Sequence, residues 1–179
     1  MTRRIALLRA INVGGSGKVA MADLRALAEE LGFGRVETFI QSGNLVFDAG
    51  DTPNAEVEAG LAALLRSRLG VMTDVIVRDR EGWAAMVADN PMPDAATLDP
   101  SRLLVLVLGA PATPAQIERL SAAAAGAERL VARDDVIYAA LPDGIGRSKL
   151  GALLSRASGL RATGRNWNTV LKLKAMVEA

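Results

Sequence analysis

Cysteine and histidine are both missing from the 179 residues. Without thiols there is no disulfide, no thiolate nucleophile and no thiolate metal site, and a reducing compartment is the expected setting. Without imidazole, Ser-His-Asp hydrolysis, Cys-His chemistry, histidine-bound zinc and any histidine general base are excluded together. Aromatic residues make up only 3% of the chain, and no strand reads like the ring-bearing strand on which RNA-recognition modules stack bases. The longest apolar run, Leu103–Leu108, is far short of the roughly 20 residues a membrane-spanning helix needs. Arg9 interrupts the early apolar stretch, so no signal-peptide core is visible. A soluble, cytoplasmic protein with no membrane partner is expected.

What is present is ample apolar material, 50% of residues, with 23% charged, enough for one medium or two small packed units. The net charge of +1 is unevenly spread: residues 1–18 carry Arg3, Arg4, Arg9 and Lys18 with no acid, and residues 147–179 carry seven cations against Glu178 alone. If the two ends met in the fold they would form an anion-binding surface; scattered solvated side chains are the plainer reading of the same count.

Apolar spacing divides the chain into two similar halves. Residues 3–13 read as a central strand, Met21 to Leu31 as a helix stopped by Gly32, residues 35–41 and 44–48 as a hairpin turning at Ser42-Gly43, Asn54 to Leu69 as a second helix between Pro53 and Gly70, and 71–78 as a closing strand. Residues 80–89 are helix-like, with Trp83 in core or interdomain packing, and the breakers Asn90-Pro91-Met92-Pro93 open a linker over 90–100. The order then repeats: strand 103–108, helix 114–125, hairpin 128–133 and 136–140, helix 148–158, strand 160–163. A last helix, 167–178, follows Asn166 as a possible cap. The expected fold is α+β, two ferredoxin-like βαββαβ halves in tandem plus a C-terminal helix, with subdomains 1–78 and 79–179.

Two clusters carry candidate chemistry. The loop Gly14 to Lys18 joins a strand to a helix, where phosphate-binding loops lie. A Walker loop fails because Asn12 and Val19 stand where Gly and Ser or Thr are needed, and a dinucleotide fingerprint fails because no acid ends the next strand. No cofactor is expected. In a ferredoxin-like sheet the first strand's carboxyl end lies beside the third strand's amino end, which gathers Arg9, Asn12, Lys18, Gln41, Ser42 and Asn44 at one end. A ligand site and a hydrogen-bonded loop network explain that gathering equally well. The second cluster is Arg147, Ser148 and Lys149 after a Gly-rich turn, with Arg165, Asn166 and Trp167; it reads either as a phosphate and base contact or as a helix cap and a core tryptophan.

Several of these stretches resemble one known family. Leu7-Leu8-Arg9-Ala10-Ile11-Asn12-Val13-Gly14-Gly15, Met21 and Leu24, Ile40-Gln41-Ser42-Gly43-Asn44, Asn90-Pro91 and Arg165-Asn166-Trp167-Asn168-Thr169-Val170 are similar to the bacterial domain of unknown function 1697. The resemblance implies a small cytoplasmic α+β protein of two subdomains with no established activity, and gives weight to Arg9, Asn12, Gly14, Gly15, Gln41, Ser42, Gly43, Asn44, Arg165, Asn166 and Trp167. One position departs: Ala10 stands where the family usually has Gly.

The expectation is a binding protein in which Arg9, Lys18, Arg147, Lys149 and Arg165 attract an anion, nucleic acid or a phosphorylated metabolite, while Gln41, Asn44 and Asn166 orient it. The alternative is a small enzyme without His, Cys or metal, acting on a phosphorylated or carboxylated molecule with Arg9 or Arg165 as clamp and Asp48 or Asp143 as acid or base. A partner-binding protein would instead offer a large apolar patch on an open sheet face.

Overall fold

The computed structural model describes residues 3–13, 17–156 and 159–179, which form two compact units, Met1–Ala85 with Leu173–Ala179, and Met86–Lys172. The first unit contains β1 (Arg3–Leu8), α1 (Met21–Glu30), β2 (Gly34–Phe39), β3 (Asn44–Asp48), α2 (Asn54–Leu69) and β4 (Val75–Asp79), in a sheet ordered β2-β3-β1-β4. All its strand pairs are antiparallel, with Leu7 opposite Asn44 and Leu8 opposite Val75. Alternation sorts the side chains by face. Ala6, Leu8, Leu45, Phe47, Val75 and Val77 pack with Leu24, Leu27, Leu61 and Leu65 of the two helices, while Ile5, Leu7, Val46 and Ile76, on the opposite face, are fully buried too. The helix ends follow local chemistry: Gly32 (φ +81°) turns the chain after α1, and Gly70 (φ +66°) ends α2 in the left-handed conformation that only glycine adopts freely.

After α3 (Arg80–Ala88), the expected linker holds a short helix of its own, α4 (Pro93–Leu98). The second unit then repeats the order with β5 (Leu103–Leu108), α5 (Pro114–Ser121), β6 (Arg129–Arg133), β7 (Val136–Ala140), α6 (Lys149–Ser155) and β8 (Ala162–Asn166), in a sheet ordered β6-β7-β5-β8. Thr113 and Gln116 form a reciprocal capping box at α5, and Ser148 caps α6 by accepting the Gly151 N–H at 2.8 Å. The chain ends in α7 (Trp167–Glu178).

Several boundaries differ from the sequence reading, the helix read as 114–125 ending at Ser121 and the closing strand read as 71–78 beginning at Val75 among them, and three have identifiable reasons. β1 stops at Leu8, not residue 13, because Ala10 (φ +50°) and Asn12 (φ +57°) leave the extended region. The last strand runs over Ala162–Asn166 and not 160–163; Gly164 and Arg165 read as non-strand residues, yet both pair with β5. The first compact unit extends to Ala85 and takes back Leu173–Ala179. Buried Arg3 ties that last segment in, its Nη1 donating to the Met176 carbonyl at 2.7 Å.

Candidate functional site

Three loops meet at one end of the first unit's sheet: residues 9–13 and 17–20 after β1, 40–43 between β2 and β3, and 70–74 before β4. Asn12 joins the first two. Its amide nitrogen donates to the carbonyls of Val19 (2.9 Å) and Gln41 (2.8 Å), and its Oδ1 accepts the Val19 N–H at 2.8 Å. Both amide hydrogens are thereby used. The left-handed φ of Asn12, a conformation Asn tolerates better than most residues, aims the side chain across the loop.

The third loop is fastened through Arg9. Its backbone N–H donates to the Asp74 carbonyl at 3.0 Å, its own carbonyl accepts the Thr73 hydroxyl at 2.6 Å, and its guanidinium lies 3.3 Å from the Asp74 carboxylate. The expected anion clamp therefore sits beside a carboxylate of its own unit, with both side chains about one-third exposed. Gly14 and Gly15, singled out in the same loop, lie outside the described residues.

The hairpin is looser than the Ser42-Gly43 turn read from sequence. Thr38 pairs with Leu45 and Phe39 with Asn44, so four residues, Ile40 to Gly43, make the turn. The shift from the expected Ile40–Leu45 pairing is two residues, and a shift of two keeps every side chain on its expected face. Gly43 is required twice over: its φ is +75°, and a Cβ there would fall 2.8 Å from both Leu8 and Ile11. Asn44 is fully buried and donates to the Phe39 carbonyl (2.9 Å) and the Ser42 hydroxyl (3.0 Å), holding the turn closed. Gln41 is exposed, with no side-chain hydrogen bond among the described residues.

Between the first and third loops lies an open recess of about 480 Å³, lined by Arg9, Ala10, Lys18 and Leu69 to Thr73. Lys18 is exposed and has no ion-pair partner among the described residues. Ala10 and Ile40 both hold positive φ, +50° each. The left-handed region costs an L-residue about 1–2 kcal/mol, and such strain gathers at functional loops. Position 10 is the one departure noted from the resembled family, and its φ is one that glycine adopts without strain.

The second cluster lies at one end of the other unit's sheet. Leu103 pairs with Ala140 and Leu104 with Asn166, so the 141–149 loop and the start of α7 flank the same end of β5. Arg147 and Lys149 are exposed there. Asn166 Oδ1 caps α7 by accepting the Thr169 N–H at 3.0 Å, and Trp167 is buried. Arg165 is not a surface clamp: it is 7% exposed on the sheet face away from α5 and α6, and its Nη1 donates to the Thr163 hydroxyl and the Gly164 carbonyl, each at 2.8 Å. Burial depresses its pKa to about 10.

Other expectations from charge counting also change. Arg3 and Arg4 are buried; Arg3 pairs with Glu37 at 2.5 Å, and Arg4 donates to the carbonyls of Thr52 and Gly50. Asp48, one candidate acid, faces Arg3 at the opposite end of β1 from Arg9; the other, Asp143, is exposed in the second unit. The carboxylate beside Arg9 is Asp74, which the sequence reading passed over together with Thr73 and Met72. The antiparallel pairing of first and last strands was the signal that pointed to them, but extending β4 back to residue 71 hid it. Among the described residues no three acidic side chains gather to hold a metal ion, and no helix is long and apolar enough to cross a membrane.

Comparison with known proteins places this geometry. No curated protein matches the chain. Among solved structures it is similar to conserved bacterial protein SP0830 from Streptococcus pneumoniae, with 24% identity, a TM-score of 0.79 and 98% of each chain covered; at that identity the likeness shows the fold alone. The family described as protein of unknown function (DUF1697) matches residues 1–138, which include the recess and the three loops at that end of the sheet, and the chain belongs to that family.

Proposed function

We propose that the first unit binds a small phosphorylated or carboxylated molecule in the recess beside Lys18 and Arg9. The observation that carries this reading is the contrast between the two repeats. The second unit joins β5 to α5 with residues 109–113 alone, whereas the first spends residues 9–20 on the equivalent connection. It secures that loop with Asn12 and leaves Lys18 exposed on the recess. A fold that closes with five residues in one copy has no architectural need for twelve in the other, and connections of that length commonly carry function. A cytoplasmic setting belongs to the same proposal, consistent with the cysteine-free sequence.

A small ligand fits better than nucleic acid. A nucleic-acid footprint draws its affinity from many phosphate contacts, but Arg3 and Arg4 are buried at the far end of β1. The centre of the sheet face away from the helices carries Ile5, Leu7, Val46 and Ile76, with no ring to stack a base. The test is calorimetric titration with inorganic phosphate and, separately, with single-stranded and duplex oligonucleotides at several salt concentrations. Phosphate binding weakened about tenfold by Lys18→Gln, the scale of one partly solvated charge-assisted bond, supports the reading. Unchanged affinity in the folded variant, or tight oligonucleotide binding that falls steeply with salt, overturns it. Asp74, 3.3 Å from Arg9 in an adjoining hollow that shares Arg9, Ala10, Met72 and Thr73 with the recess, keeps a second reading in view, an enzyme with Asp74 as acid or base. Turnover of a phosphate ester by the wild type that Asp74→Asn abolishes while retaining phosphate binding would favour it.

A further inference from the structure

The exposed apolar side chains are distributed in a way the anion reading does not use. Six large hydrophobic residues are exposed among the described residues, and three of them, Met72 (80%), Val13 (63%) and Ile40 (50%), sit on the three joined loops. Scattered singly, such residues need no explanation. Here Met72 lines the recess with Lys18 and Arg9, over a floor that includes Leu69 and Val71. Val13 adjoins Asn12, and Ile40 adjoins Gln41, whose carbonyl Asn12 binds.

Resting on the reading above, we infer that the ligand is an amphiphilic anion: a phosphate monoester or carboxylate head held at Lys18 and Arg9, carrying an apolar group of several carbons that packs against Met72 and the Leu69–Val71 wall. A head group alone satisfies Lys18 and shares Arg9 with Asp74, but leaves Met72 in water. An apolar substituent removes that surface from solvent, at about fourfold in affinity per buried methylene. The recess, at about 480 Å³, falls in the range of small-molecule sites and suits a single short chain. We therefore take a soluble ester, not a membrane surface, as the source of the head group.

The experiment compares inorganic phosphate, hexyl phosphate and hexanol as calorimetric titrants of the full chain, with sedimentation of vesicles made of anionic phospholipid as a separate arm. Burial of two or three methylenes makes hexyl phosphate roughly fifteenfold to sixtyfold tighter than inorganic phosphate. In Met72→Ser, a change at a solvated side chain that leaves the fold intact, the preference falls below about threefold while affinity for inorganic phosphate is retained. Equal binding of the two phosphates, or a preference that Met72→Ser does not reduce, overturns this inference and leaves the anion reading standing. Binding of neither phosphate removes both. Cosedimentation with vesicles without binding of hexyl phosphate overturns the inference in favour of a lipid surface.

Discussion

Asn12 carries the loop end of the first unit, and replacing it tests whether the loops are held as described. Asn12→Ala deletes three hydrogen bonds of 2.8–2.9 Å, each worth about 1 kcal/mol net and less where water replaces the partner. It also puts Ala at φ +57°, which costs about 1 kcal/mol more than a residue suited to that region. The expected loss is about 2–3 kcal/mol. Asn12→Gly deletes the same bonds but relieves the backbone, so its loss should be smaller by about 1 kcal/mol, offset in part by the greater freedom of glycine in the unfolded chain. Urea unfolding of the three proteins gives the differences, and thermal midpoints should fall by roughly 2–4 °C per kcal/mol. Asn12→Ala within about 0.5 kcal/mol of wild type, or Asn12→Gly less stable than Asn12→Ala, would refute the reasoning.

Three further outcomes follow from the same structure. Ala10→Gly should stabilise the protein by about 0.5–1 kcal/mol, because φ +50° strains Ala and the relief exceeds the unfolded-state cost of Gly; destabilisation in urea titration would contradict this. Tyr138, the chain's single tyrosine, donates its hydroxyl to the Met86 carbonyl at 2.7 Å, and burial pushes its pKa up to about 12. Its raised pKa contributes stability that is complete below pH 10 and is lost as pH climbs toward 12. Arg165, with its pKa depressed to about 10, works in the opposite sense over the same window. The phenol is therefore read directly by tyrosinate absorbance, and ionisation of the folded protein near its ordinary value would contradict the burial. Arg165→Ala should lower stability by about 1–3 kcal/mol, as bonds from a buried charged donor are lost, and leave phosphate affinity unchanged in calorimetry; weakened binding by a variant of undiminished stability would return Arg165 to the site.

The fold was legible because its signals agree across levels. Apolar alternation marked the strands, Gly32 and Gly70 marked two helix ends, and the repeated order fixed which strand ends adjoin, so the meeting of Arg9, Asn12 and Asn44 followed from topology before any side chain was placed. What escaped was local and physical. Ser42-Gly43 is a strong signal for the tightest hairpin, and only the positive φ of Ile40, unusual for a β-branched residue, widens the turn to four. Gly164 and Arg165 do not look like strand residues, yet pairing with β5 recruits them. Residue type alone does not tell buried arginines from solvated ones, so charge counting places Arg3, Arg4 and Arg165 at the surface although all three are buried.

The proposed anion site lies on the loops of the first unit and not at the Arg147–Lys149 end of the second. Amide chemical shifts of the ¹⁵N-labelled protein, followed as inorganic phosphate is added, test this most directly. Saturable shifts are expected at Arg9 to Val13, Gly17 to Val19 and Gly70 to Asp74. Shifts concentrated instead at Gly146 to Lys149 and Asn166 to Asn168, or none at all, would contradict it.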